Sequence, residues 1–142
     1  MRLVVDTDVV VAGMRSPLGA SAALLVLLLK RQSTLLLSVA VALEYESVCM
    51  MPEHRLAAGA SEREVQNMVD ALVGVSEVVE VHYQWRPQLT DASDEMVLEA
   101  AVNGRADAIV TFNARDFGRA ASPFGVAVRS PGEMVKRLGD MI

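Results

Sequence analysis

Short apolar runs of strand length recur along this chain with helix-length segments between them, and that alternation constrains the fold more than any other feature. LVVD (Leu3–Asp6), TLLLS (Thr34–Ser38), EVVEV (Glu77–Val81), DAIVTF (Asp107–Phe112) and GVAVR (Gly125–Arg129) each read as a strand. Ala20–Lys30 follows the turn material RSPLG and reads as a helix; Val39–Met51 reads as another, ended before Pro52. SEREVQNMVDALVG opens with Ser61 and Glu64 at capping-box spacing, and a further helix starts near Ala92–Asp94 and stops at Gly104. Ser130 and Glu133, with Pro131 at the first helical position, open a last helix. Strands alternating with helices imply a parallel sheet covered on both faces. The expected fold is therefore α/β: a three-layer α/β/α sandwich around a central, mainly parallel sheet of about five strands. The 142 residues fit a single domain, 1–142, and no repeat, low-complexity tract or linker divides them.

Composition narrows the function classes. Apolar residues make up 52 %, which excludes a disordered chain. The longest apolar run, Ala20–Leu29, is shorter than the ~20 residues of a membrane span and lacks the flanks of a signal peptide. Cys49 is the single cysteine, so neither a disulfide framework nor a zinc finger is available, and a reducing cytoplasm is the expected compartment. A net charge of −5 argues against a passive, charge-driven nucleic-acid binder. It leaves room for an enzyme that meets nucleic acid through bound metal, because part of the negative charge would then be ligand.

The acids stand where that chemistry needs them. In RLVVDTDVVVAG, Asp6 and Asp8 interrupt an otherwise buried run. Burying a charge costs several kcal/mol unless it is paired, hydrogen-bonded or metal-bound. Asp6 ends the first strand; Asp8 lies on the same side if the chain stays extended, or caps the next turn. Glu44 interrupts a mostly apolar helical stripe with Ala40 and Val48, whereas Glu46 reads as solvated. Asp94 opens the helix after the third strand, with Asp91 and Glu95 close by, and Asn113 and Asp116 follow the fourth strand in VTFNARDF. In open parallel sheets, ligands bind outside the carboxyl ends of the strands, and these acids fall on that edge. Three or four acids converging there cannot all ionise without a cation between them. Mg²⁺ or Mn²⁺, hard ions that prefer carboxylate oxygens, would answer that repulsion and activate a water, as one ion or as a pair.

No other constellation competes. Neither GxGxxG nor GxxxxGK[ST] occurs, Cys49 sits amid apolar residues, and His54 and His82 stand away from every motif and read as surface or loop residues. Arg15, Arg105, Arg115 and Arg119 lie near or after the acid-bearing turns and could meet phosphates.

With these residues in place the chain resembles the PIN-domain family, and in particular the VapC-type toxins of bacterial and archaeal toxin–antitoxin pairs. VVDTDVVVAG resembles the family's opening strand and its DTN turn, and LLLSVAVALEYESV its serine-plus-glutamate element. TDASDEMVLEAAVNGRADAIVTFNARDF resembles the acidic helix, the following strand and the terminal acidic turn. The resemblance implies a metal-dependent ribonuclease, often a homodimer or higher oligomer, inhibited by a cognate antitoxin protein. By motif match Asp6, Glu44, Asp94 and Asp116 are the catalytic, metal-holding acids, and Ser38 and Thr111 are polar positions lining the site. The chain departs from the pattern twice. Asp8 replaces the usual Asn, and DASD stands where relatives carry Pro and more acids, which keeps Asp91 a rival for the third role. Some relatives place the fourth acid at the position of Asn113.

Two other readings share some of these features. DTDVV also fits the opening of haloacid-dehalogenase-like phosphatases, whose first Asp is a nucleophile, with Ser38 as the second element. That chemistry needs a lysine after the serine and before the last acids, and Lys30 and Lys136 both fall outside that interval. The other reading is a catalytically inactive PIN fold used only for binding.

Overall fold

The structure is a computed structural model that describes residues 1–82 and 91–141. Five strands, β1 (Arg2–Val5), β2 (Thr34–Leu37), β3 (Glu77–Val78), β4 (Ala108–Val110) and β5 (Ala127–Arg129), form one sheet in the order β3-β2-β1-β4-β5. Every pairing is parallel, with Leu3 opposite both Leu35 and Ala108, and Val5 opposite Val110. The first strand is thus the central one. Its Leu3, Val4 and Val5 are fully buried, which explains why the run shows no alternation: helices cover both faces of the sheet.

Among the described residues the helices are α1 (Thr7–Arg15), α2 (Ala20–Leu29), α3 (Val39–Cys49), α4 (Pro52–Ala57), α5 (Glu62–Val75), α6 (Ala92–Asn103), α7 (Ala114–Ala121) and α8 (Pro131–Asp140). Both anticipated capping boxes form. Ser61 Oγ accepts from Glu64 N at 3.1 Å and Ser130 Oγ from Glu133 N at 3.1 Å, with each glutamate accepting from its serine's N–H in return. α2 buries Ser21, Leu24, Leu25 and Leu28 and packs against α1, α5 and α8, while Val26 and Leu29 stay partly exposed. No single helix among the described residues is long and apolar enough to cross a membrane.

Three helices depart from the sequence reading. The backbone turns helical at Thr7, directly after β1, so Asp8 sits on the first turn of α1 rather than on an extended strand. The chain beyond Met51 coils again as α4, because Pro52 takes the first helical position, where its missing N–H costs nothing. The turn expected after β4 is the start of α7, with Asn113 as its N-cap. The third strand is shorter than EVVEV. Only Glu77 and Val78 are strand, and Val78 is largely exposed because β3 is an edge with β2 as its one neighbour. Gly104 ends α6 where the backbone passes close to other groups: a Cβ there would lie 2.8 Å from Ala100 O and 2.8 Å from the Val79 side chain.

Candidate metal centre

The site begins with Asp6, the first residue after the central strand. Its N–H still donates to Val110 O at 2.9 Å, so it is pinned beside the end of β4. Its carboxylate is only 6 % exposed. Thr111, just past β4 and still more deeply buried, donates its hydroxyl to Asp6 Oδ2 at 2.8 Å and accepts from Asn113 N at 2.9 Å. Asn113 in turn donates Nδ2 to Asp8 Oδ2 at 3.3 Å. One chain of bonds therefore links the ends of two neighbouring strands to both aspartates.

α3 and α6 supply the opposite wall. Ser38 caps α3, accepting from Val41 N at 3.2 Å, and Tyr45 of that helix donates its hydroxyl to the carbonyl of Val5, the residue before Asp6. Glu44, the neighbour of Tyr45, accepts from Ser93 Oγ at 3.0 Å. Ser93 and Asp94 occupy the first turn of α6, which Asp91 caps by accepting from Ser93 N at 2.8 Å. A cleft of about 270 Å³ opens between these elements. Asp6, Asp8, Glu44, Asp94 and Asn113 line it, together with Thr7, Ser93, His54 and the apolar Val11 and Val48.

Mutual repulsion marks this cleft. Burial, and then the neighbouring charge of Asp8, push the Asp6 carboxyl up to about 7, against the opposing hydrogen bond from Thr111. Burial also raises Asp8, with Asp94 adding to it. Asp94 is pushed up to about 6 by burial, then by Asp6, Asp91 and Asp116. Asp8 Oδ1 and Thr7 Oγ1 are buried with no hydrogen-bond partner. A buried carboxylate oxygen without a donor is what a hard cation, or a water on it, would satisfy. Among the described residues no group of three or more His, Cys, Asp and Glu side chains is close enough together to hold an ion directly. The donor set fits a hydrated ion, since Mg²⁺ keeps several waters and takes only one or two carboxylates.

The residues singled out in the sequence divide into three groups. Asp6, Asp8, Glu44, Asp94 and Asn113 meet at the cleft, with Thr111 directly behind Asp6. Asp91 and Ser38 are helix caps, and Asp116 is exposed on the first turn of α7, within electrostatic reach of Asp94 but outside the lining. Arg15 is at the end of α1 beside His54; Arg115 and Arg119 are exposed on α7. Arg105 precedes β4 and clusters with Arg2 and Glu77 at the other edge of the sheet, so it does not flank the acids as expected. His54 corrects the sequence reading: it lines the cleft because α4 folds back against α1, a return that no spacing in the sequence announces. Ser93 was also overlooked, although its place between Asp91 and Asp94 was the available signal. Neither Lys30 nor Lys136 lines the cleft, which removes the phosphatase arrangement.

No curated protein matches the sequence. One chain of VapBC2 from Rickettsia felis, crystallised bound to a DNA fragment from their promoter, shares the fold with a TM-score of 0.61. That likeness covers 92 % of this chain and 98 % of the other at 15 % identity. The family profile described as PIN domain matches residues 2–115, a span that includes β1 through β4 and every acid of the cleft. The chain therefore belongs to the PIN-domain family, whose members are generally nucleases.

Proposed function

We propose that this protein is a divalent-metal-dependent endoribonuclease and the toxin of a toxin–antitoxin pair, acting in the cytoplasm on RNA phosphodiester bonds. The observation that carries the reading is the convergence of Asp6, Asp8, Glu44 and Asp94, from three separated segments, on one cleft where burial first, and then neighbouring carboxylates, drive Asp6 and Asp94 toward neutrality. Asp6 and Asp94 would hold Mg²⁺ or Mn²⁺ directly and Glu44 through one of the ion's waters, with Asp8 and Asn113 beside them and Asp116 adding charge at the rim. Bound there, the ion supplies Lewis-acid chemistry: it acidifies a water and shields the charge that develops on the phosphate.

The remaining groups set geometry. Thr111 holds Asp6 through Oδ2; Asn113 orients Asp8; Ser93 orients Glu44. The fold shared with a VapBC2 chain supports an antitoxin protein as partner. Val39 and Leu43, one turn apart on α3 and 68 % and 60 % exposed, support a protein-covered face, either antitoxin or a second copy.

The test is cleavage of labelled single-stranded RNA with Mn²⁺ or Mg²⁺ and with chelator. Cleavage that needs the metal and disappears in Asp6→Asn, with circular dichroism unchanged, supports the reading; full activity in Asp6→Asn sinks it. An intact wild-type fold that fails to bind Mn²⁺ points instead to an inactive PIN-fold binding module.

A further inference from the structure

Among the described residues the lining of the cleft carries four carboxylates and no lysine or arginine. The hydroxyl of Ser93 is directed at Glu44, and Asn113 reaches Asp8 through its amide nitrogen. An RNA backbone entering this cleft away from the metal needs a donor backed by positive charge. His54 and Arg15 form one. Arg15 Nη1 lies 3.2 Å from His54 Nδ1, joining the last residue of α1 to α4. A guanidinium has donors only and stays charged, so Nδ1 must be the acceptor. A neutral imidazole with its lone pair at Nδ1 carries its proton at Nε2. Arg15 therefore fixes the tautomer of His54, a residue of the cleft lining, and leaves its Nε2–H as a donor with a cation behind the ring. Apart from His54 itself, the described lining holds no aromatic ring on which a base could stack, so the chemistry favours phosphate over base.

We infer that the Arg15–His54 pair is a phosphate-positioning element, which binds a backbone phosphate of single-stranded RNA beside the metal-holding acids. This rests on the nuclease reading above, and the experiment separates the two.

The steady-state arm uses the full chain with Mn²⁺ and a short fluorescein-labelled single-stranded RNA. His54→Phe and Arg15→Leu should each raise KM about tenfold, the worth of one charge-assisted hydrogen bond, with kcat changed by less than about twofold and Tm unchanged. His54→Gln keeps an acceptor for Arg15 and an N–H donor, and should recover most of the loss. The double variant should be no worse than either single one, because the two residues act as a unit. In the binding arm, anisotropy in the Asp6→Asn background should show the same loss of RNA affinity, with the salt dependence of Arg15→Leu reduced by about one counterion. Unchanged KM and affinity in either single variant, or a Tm that falls in step with activity, overturns the inference. Absence of Mn²⁺-dependent cleavage by the wild type defeats the nuclease reading alone, and the binding arm then decides the role of the pair. RNA binding by neither background defeats both.

Discussion

Thr111 donates its hydroxyl to Asp6 across 105 positions of sequence, at 2.8 Å and in a site almost closed to solvent. This bond is the principal interaction opposing the burial and charge that drive the Asp6 carboxyl toward neutrality. Thr111→Val keeps the shape and removes the donor. The Asp6 carboxyl should then move further up, and the acidic limb of the pH–rate profile should shift to higher pH. Stability should fall by about 1–3 kcal/mol, since Asp6 Oδ2 and Asn113 N both lose their partner. Urea melts beside the pH–rate profile test both claims; an unmoved acidic limb contradicts the role given to Thr111.

The raised carboxyls have a consequence for the metal-free protein. An ordinary Asp titrates near 3.8, whereas Asp6 is held at about 7 and Asp94 at about 6. Across that window the folded chain binds more protons than the unfolded one, so these groups stabilise the fold at low pH and lose that contribution as pH rises to about 7. Glu64, Glu77 and Glu133 are lowered, so their opposite effect falls at more acidic pH. Without metal, Tm should therefore be higher at pH 5.5 than at pH 8. Mn²⁺ should raise Tm more at pH 8, where protons no longer compete for the carboxylates. Calorimetry at the two pH values checks both signs, and a metal effect larger at pH 5.5 contradicts the assignment.

Tyr45 is fully buried and its hydroxyl holds the carbonyl of Val5, one residue before Asp6. Burial raises its pKa far above its ordinary value, so it stays a donor at every working pH. Tyr45→Phe should cost about 1–2 kcal/mol in stability and lower kcat while leaving RNA affinity intact, because it releases the backbone that aims Asp6. A variant that loses stability with full kcat would reduce Tyr45 to a packing residue.

Asn113 and Asp116 compete for the fourth position. Asn113 lines the cleft and holds Asp8, whereas Asp116 reaches the cleft only through its charge. Asn113→Ala should therefore reduce kcat/KM more than Asp116→Asn, whose effect should stay within about threefold and shrink with added salt, as a screened interaction does. The reverse order under Mn²⁺ would assign the ligand to Asp116.

Gly104 tests the packing behind the site. Ala there would meet backbone at Ala100 as well as the Val79 and Leu36 side chains, and backbone cannot swing aside. Gly104→Ala should destabilise by about 1–3 kcal/mol. Gly13→Ala meets mainly the flexible end of Leu25 and should cost less. Parallel denaturant curves rank the two.

The parts of this architecture that were legible in the sequence share a physical cause. Buried central strands leave unbroken apolar runs, and caps leave a serine three residues before a glutamate, so β1, β2, β4, α5 and α8 could be read directly. Asp6 and Glu44 stood out because each interrupts an apolar pattern. The helical start at Thr7 was hidden because DVVVAG suits a strand as well as a helix, and the choice is made by packing of α1 against α2 and α3. His54 was invisible because its place in the cleft depends on the fold of α4, not on its neighbours in the chain. Asp91 and Asp94 were hard to rank for the opposite reason. Both begin a helix, and only tertiary geometry shows that Asp91 caps while Asp94 faces the acids.

β1 lies in the middle of the sheet, and β4, one of its two flanking strands, starts only at Ala108. Until synthesis has passed Thr111, Asp6 lacks both the neighbour that aligns its backbone and the hydroxyl that binds its carboxylate. The acidic pocket is therefore completed only once β4 has docked beside β1, and the first helices and strands of the fold cannot assemble it by themselves.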